Sequence, residues 1–376
     1  MNRQKKHVDA LVIGCGVAGM TAAEIIGKEG YSVHVLASGY GCTQMSSGTI
    51  DVLGRYQGEE VVDLEAKLDG FIRENPRHIY ALAGKEKVIQ ALTEFAVESA
   101  SHIVEYKGEP RRNTRIFTPL GTVKNTCLVQ YTMSLNNPSE LTGKKVLVVA
   151  IPGLSGYAPN LFTEGLRRRN VKARMVRVNV PVKTTFQLAR FFDLEAEGII
   201  THLKEAGAAG FDYVAMPPVL GLRRTRSILK MLEEDFEAHF FEIPSFPPSV
   251  PGQRLHFLLE EKCEQAGVKV EMGKNVTGVK IKNGYLREVE VDKEKITPSV
   301  GVVATGWMLK SILRIKGLPF QVNESLNVEK NGERVENLFL ALSSVSYENM
   351  IGLGAAITSG YLAGINALKY LREGRG

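Results

Sequence analysis

The chain has 376 residues, 44% of them hydrophobic, with a net charge of +6 and a pI near 9.0. That length exceeds one small core and predicts two domains, while the apolar share is ordinary for a globular protein. The charge suits an anionic substrate or partner, but no Lys/Arg block or RNA-binding signature points to nucleic acid, and four scattered cysteines without a C-x-x-C signal no metal site.

In chain order, Met1 to His7 is polar and basic and lacks the apolar core of a leader, which with the unpaired cysteines points to the cytoplasm. Val8 to Ile13 is an apolar run that reads as a buried strand. Gly14, Gly16 and Gly19 then complete G-x-G-x-x-G, with Val17 and Ala18 between them, and a helix is expected over 17–28. The spacing has a physical reason. Gly14 permits the tight strand-to-helix turn, Gly16 lets backbone approach a pyrophosphate, and Gly19 lets the helix pack on the sheet. The helix N-terminus offers unpaired N–H groups to phosphates. A glycine triplet alone is weak, but one that follows a strand and opens a helix predicts dinucleotide or flavin binding. A strand over 31–36 closes a βαβ unit.

Gly39 to Gly48 is a polar, glycine-rich loop, followed by helical patterns near 60–75 and 85–105. Lys144 to Ile151 reads as a second buried strand. Helices near 158–169, 191–206 and 225–237 alternate with strands at 172–178, 212–216 and 239–243, an α/β layer of its own. Four prolines between Glu242 and Gly252 mark a rigid connection. A helix at 253–266 leads into short strands at 268–272, 276–282 and 287–292 with an Asn283-Gly284 turn. Buried strands follow at 300–304 and 338–342. Met350 to Leu368 carries no charge, but its Gly, Ala, Ser and Thr content reads as a buried helix instead of a membrane span.

The expected architecture is therefore α/β: a Rossmann-like FAD/NAD(P)-binding fold built from both chain ends (1–58 and 250–376), with an inserted α/β substrate or partner domain (59–249). Strand-then-A-T-G occurs at Val300 to Gly306, where Ala304, Thr305 and Gly306 are candidate cofactor contacts. The final helix opens on G-L-G-A-A, with Gly352 and Gly354. In the superfamily of flavoproteins with two dinucleotide folds, which the chain resembles here, that helix aims its N-terminus at the flavin, whose reduced form carries negative charge. Two departures stand out. The second strand ends in Ala37 and Ser38 where an acid usually holds the ribose, and Ser343 and Ser344 stand where another acid holds the ribityl chain. A neutral hydrogen bond is about half as strong as the charge-assisted one it replaces. FAD and FMN both remain open.

Further segments resemble the B subunit of the anaerobic glycerol-3-phosphate dehydrogenase: S-S-G-T-I-D-V-L (46–53), H-I-Y-A-L-A-G (78–84), T-P-L-G-T (118–122), P-P-S-V-P-G-Q-R-L (247–255) and E-N-L-F (336–339). The resemblance implies a flavoprotein that works with two partners, one the FAD-dependent catalytic subunit and the other an iron–sulfur subunit. It further implies oxidation of glycerol 3-phosphate to dihydroxyacetone phosphate, with electrons passing to membrane quinone and membrane association only through the complex. Ser46, Ser47, Gly48 and Val276 join Ser38 as candidate flavin contacts. His78 is the candidate base, because removal of hydride from a secondary alcohol needs one for the hydroxyl proton. Arg254 is the candidate substrate-phosphate contact. A stand-alone flavin dehydrogenase and a non-catalytic Rossmann scaffold are the alternatives, and the missing acids favour the scaffold.

Overall fold

The computed structural model describes residues 6–100, 103–180, 184–292, 294–306, 321–341 and 352–374. The main elements in chain order are β1 (Lys6–Ile13), α1 (Val17–Lys28), β2 (Val33–Ala37), α2 (Leu64–Glu74), α3 (Ile79–Ala83), α4 (Lys85–Ser99), β3 (Lys145–Ala150), α5 (Pro159–Arg167), β4 (Lys172–Arg177), α6 (Thr185–Glu205), β5 (Tyr213–Met216), α7 (Thr225–Phe236), β6 (His239–Glu242), α8 (Val250–Gln265), β7 (Lys269–Met272), β8 (Val276–Lys282), β9 (Tyr285–Val291), β10 (Glu294–Val303), β11 (Asn327–Lys330), β12 (Glu333–Leu340) and α9 (Leu353–Arg372). They fall into two units, one of residues 1–43, 68–95 and 259–376 and one of residues 44–67 and 96–258.

The first unit carries a nine-stranded sheet whose order begins β7-β2-β1-β10-β12 and continues through β11 to the short strand Gln321–Val322. The first five strands are parallel, and β8 and β9 form an antiparallel hairpin on β10. Strands covered on both faces read as continuous apolar runs, which is why Ala10 to Ile13 of β1 are all apolar and buried. Leu11, Ile13, Leu36, Val303 and Leu338 lie together in the core. Helices α1 and α9 meet through glycine. A Cβ on Gly360 would lie 2.3 Å from the Ala18 carbonyl oxygen, so only glycine permits that approach. The chain leaves β1 toward β2 on one side, and β10 flanks it on the other. Sheet order therefore reverses at the C-terminal end of β1, which is where open α/β sheets hold ligands.

The second unit carries a four-stranded parallel sheet in the order β4-β3-β5-β6. Its core gathers Val146 to Val149, Phe162, Phe192, Val214 and Phe241. Three small two-stranded pieces accompany it: 55–56 with 59–60, 106–108 with 128–130, and 114–117 with 123–126. Those pieces and the one-turn helix α3 carry too few residues for a periodicity, and the sequence reading passes over them. The α/β class and Rossmann-like sheet are as expected, and α6 begins at Thr185, ahead of the expected 191. Thr184 explains that start: its hydroxyl caps the helix by accepting from the Gln187 N–H at 3.2 Å.

Candidate functional site

At the C-terminal end of β1 the first unit encloses a cavity of about 320 Å³, within the range of small-ligand sites. Gly14, Gly16, Ser38, Val276, Ala304, Thr305 and Gly306 line it. The geometry of the glycine turn matches the job of each glycine. Gly14 has φ +112°, and a Cβ there would lie 2.2 Å from the Ala304 carbonyl oxygen. A Cβ on Gly19 would lie 2.0 Å from the Gly14 carbonyl oxygen, so the helix can sit this low only with glycine. A Cβ on Gly16 would meet nothing within 4 Å. Its surroundings are open, as a backbone approached by a ligand requires. Val17 and Ala18 lie in the first turn of α1 and Gly19 behind it, and none of the three lines the cavity.

The walls fit a nucleotide phosphate. Gly16 caps α1 without a side-chain hydrogen bond, and the first turn holds no acid, so nothing there competes with an anion. The Thr305 hydroxyl oxygen is buried and has no hydrogen-bond partner among the described residues, which leaves it for a ligand. No lining side chain among the described residues is acidic.

Sequence reasoning missed several wall residues, including Cys15, Tyr40, Lys274 and Asn275. The Cys15 thiol donates to the Gly39 carbonyl at 3.1 Å and ties the glycine-rich loop down. Burial pushes its pKa up to about 11, with Glu260 adding to the shift, so it is a neutral, unreactive thiol. Lys274 follows β7, and its position beside β2 follows from sheet order alone. A cation in the turn after a parallel strand was the one clue the sequence held.

The remaining expected residues stand elsewhere. Gly352 and Gly354 open α9 within the first unit and are not among the cavity walls; Gly352 caps the helix without a side-chain bond. Ser344 lies outside the described residues. Ser46, Ser47 and Gly48 belong to the second unit. There the Tyr106 hydroxyl donates to the Gly48 carbonyl at 2.9 Å, and the Ser47 and Thr49 hydroxyls bond each other at 2.9 Å. Asp51 in the same loop binds Lys124 at 2.9 Å.

His78 and Arg254, the expected base and substrate-phosphate contact, both have partners within the protein. His78 caps α3, its Nδ1 accepting from the Tyr80 N–H at 3.1 Å, with its ring edge-on to Phe71. Burial holds its pKa down at about 4, which makes it a weak base at neutral pH. Arg254 is 1% exposed and pairs with Glu242 through both terminal nitrogens, while its Nε donates to the Gly221 carbonyl at 2.8 Å. Other arginines of the second unit are also paired: Arg111 with Glu65, Arg168 with Glu164, and Arg226 with Glu105.

Residues 9–293 match the family model described as FAD binding domain. The chain is similar to the anaerobic glycerol-3-phosphate dehydrogenase B subunit of Glaesserella parasuis serovar 5 (strain SH0165), 28% identical over 307 residues that cover 75% of this chain and 70% of that one. The protein of the same name from Actinobacillus pleuropneumoniae serotype 5b (strain L20) is 23% identical, with 96% of each chain covered. Among solved structures, L-proline dehydrogenase from P. horikoshii aligns with TM-score 0.31 and 12% identity, covering 81% of this chain and 54% of that one. This chain thus spans about half the length of that solved structure. No helix among the described residues is long and apolar enough to cross a membrane. A family match over more than half the sequence, on a cavity whose walls suit a nucleotide phosphate, places this chain in the FAD-binding-domain family, with a flavin as its cofactor.

Proposed function

We propose that this chain is the flavoprotein B subunit of an anaerobic glycerol-3-phosphate dehydrogenase complex. The observation that carries the reading is similarity to proteins of that name along 96% of both chains, joined to a phosphate-suited cavity at the sheet's switch point. The reaction is oxidation of glycerol 3-phosphate to dihydroxyacetone phosphate, with electrons passed to quinone. The chain works with the FAD-dependent catalytic subunit and an iron–sulfur subunit, on the cytoplasmic side, reaching the membrane through them. The unit built from both chain ends carries the nucleotide, and the inserted segment takes substrate or partner.

Bound flavin would supply two-electron acceptance. The chain's own part is positional. The amides of Cys15 and Gly16 and the start of α1 hold phosphate, the Thr305 hydroxyl supplies a polar contact, and the Cys15 thiol holds the loop at Gly39 in place beside the site. FAD is the form the family points to, and FMN is the alternative.

A second reading, a flavin-poor scaffold that docks the true dehydrogenase, is favoured by Ala37 and Ser38 standing where a ribose-binding acid is usual. One experiment separates the readings. The chain is purified alone and with its partner subunits, the bound chromophore is released and weighed, and glycerol 3-phosphate is tested with an electron-accepting dye. One flavin per copy of this chain and dye reduction only in the complex support the proposal. Absence of flavin after reconstitution with FAD and FMN refutes it in favour of the scaffold. Full dye reduction by this chain alone refutes the role as one part of a complex in favour of a stand-alone enzyme.

A further inference from the structure

Related sites end the second strand in a carboxylate; here Ala37 and Ser38 stand at that position, and the neighbouring turn of the cavity carries a cation, Lys274. Lys274 lies in the turn between β7 and β8, and its backbone N–H donates to the Ala37 carbonyl at 3.0 Å. That bond fixes the turn against the end of β2, next to Ser38. The Lys274 side chain is 37% exposed, and its ammonium stands 3.9 Å from Glu271, beyond hydrogen-bond distance. Glu271 has a closer partner in Lys269. Lys274 is the one cationic side chain among the described walls, and no wall side chain among them is acidic.

A carboxylate accepts hydrogen bonds from ribose hydroxyls; an ammonium has three donors and no acceptor. Lysine cannot do the carboxylate's work, but it attracts phosphate oxygens. The start of α1 contributes partial charge of the same sign to the same cavity. Both features favour an anion, and neither rewards a ribose diol.

We infer that Lys274 is a specificity-determining residue that binds a nucleotide phosphate in this cavity, so the site selects its ligand by charge instead of by a ribose clasp. The flavin arms of the test rest on the reading above; an ADP arm does not.

The test is calorimetric titration of the full chain, stripped of flavin, with FAD, FMN, ADP, riboflavin and adenosine. Lys274→Gln is expected to weaken the phosphate-bearing ligands roughly three- to tenfold, the range for a charged hydrogen bond discounted for exposure. It leaves riboflavin and adenosine unchanged and flattens the salt dependence of binding. Lys274→Arg retains affinity. Glu271→Gln removes the same ion pair but keeps the cation, and retains affinity too. Loss on FAD and ADP assigns the contact to a pyrophosphate, and loss on FMN to a phosphate monoester; either supports the inference. Equal affinity of wild type and Lys274→Gln for all three phosphorylated ligands overturns it, as does an equal loss for riboflavin and adenosine. Binding of ADP but of no flavin refutes the flavin reading and leaves Lys274 to be judged on ADP. Binding of none of the three overturns both.

Discussion

Arg254 and Glu242 illustrate how a residue chosen for chemistry can serve the core. Glu242 is wholly buried and also accepts from the Thr132 hydroxyl and, at 2.7 Å, from the Leu220 N–H. Removing the guanidinium leaves a buried carboxylate without its counter-charge, which costs about 3–5 kcal/mol. Arg254→Met is therefore expected to lower the urea midpoint sharply, and Arg254→Met with Glu242→Gln to recover part of the loss, because the stranded charge is gone. A single variant as stable as wild type would refute the pairing. His78 makes a pH-dependent contribution of the opposite origin. Its native pKa is held down at about 4 by burial, whereas the unfolded chain takes the proton near pH 6.5. Between those values the unfolded state binds more protons, so stability rises with pH and levels off above about 6.5, with a slope of up to about 1.4 kcal/mol per pH unit. His78→Asn keeps a capping acceptor but does not titrate. Urea unfolding between pH 5 and 7 is expected to show a flatter slope in that variant, and an unchanged slope would assign the pH dependence elsewhere.

Glycines do different work in the elements that carry the site, and substitution separates their roles. Gly360 of α9 sits against the Ala18 carbonyl of α1, and Gly364 brings a Cβ position to 3.0 Å from the Ala22 Cα. Gly360→Ala forces the two helices apart and is expected to destabilise by roughly 1–3 kcal/mol, the usual cost of overpacking. Gly16→Ala meets nothing in the protein and should melt like wild type, yet it places a methyl where a phosphate would approach, so flavin affinity falls. Thermal unfolding and flavin titration on both variants check the pair; a Gly16→Ala protein that binds flavin normally would show that the turn is not the phosphate site. The same elements mark what could be read in advance. The turn at Gly14 to Gly19 was legible because strand, turn and helix are adjacent in sequence and each glycine answers a local steric need. The cavity's far wall was not. Lys274 reaches it through the order β7-β2-β1, a pairing between segments more than 200 residues apart that no local pattern encodes. His78 and Arg254 were visible as residues, but their partners, the Tyr80 amide and Glu242, appear only once the chain is folded.

At the scale of the whole molecule, ligand binding and stability are linked through one of the two units. Among the described residues, those that line the cavity all belong to the unit built from 1–43, 68–95 and 259–376. A ligand that binds only folded protein stabilises it by about 2.7 kcal/mol at one hundred times its dissociation constant. That stabilisation is delivered first to the segments whose local opening would release the ligand. Hydrogen exchange with and without saturating FAD is therefore expected to slow at four stretches far apart in sequence: residues 14–16, 38–42, 274–276 and 304–306. These are the ends of β1, β2 and β10 and the turn after β7, brought together by sheet order alone. The parallel strands β3 to β6 of the other unit supply no wall, so their exchange should change only as far as global stability does. Protection confined to β3 to β6, with the four stretches unmoved, would place the nucleotide in the other unit and remove the assigned role from the glycine turn.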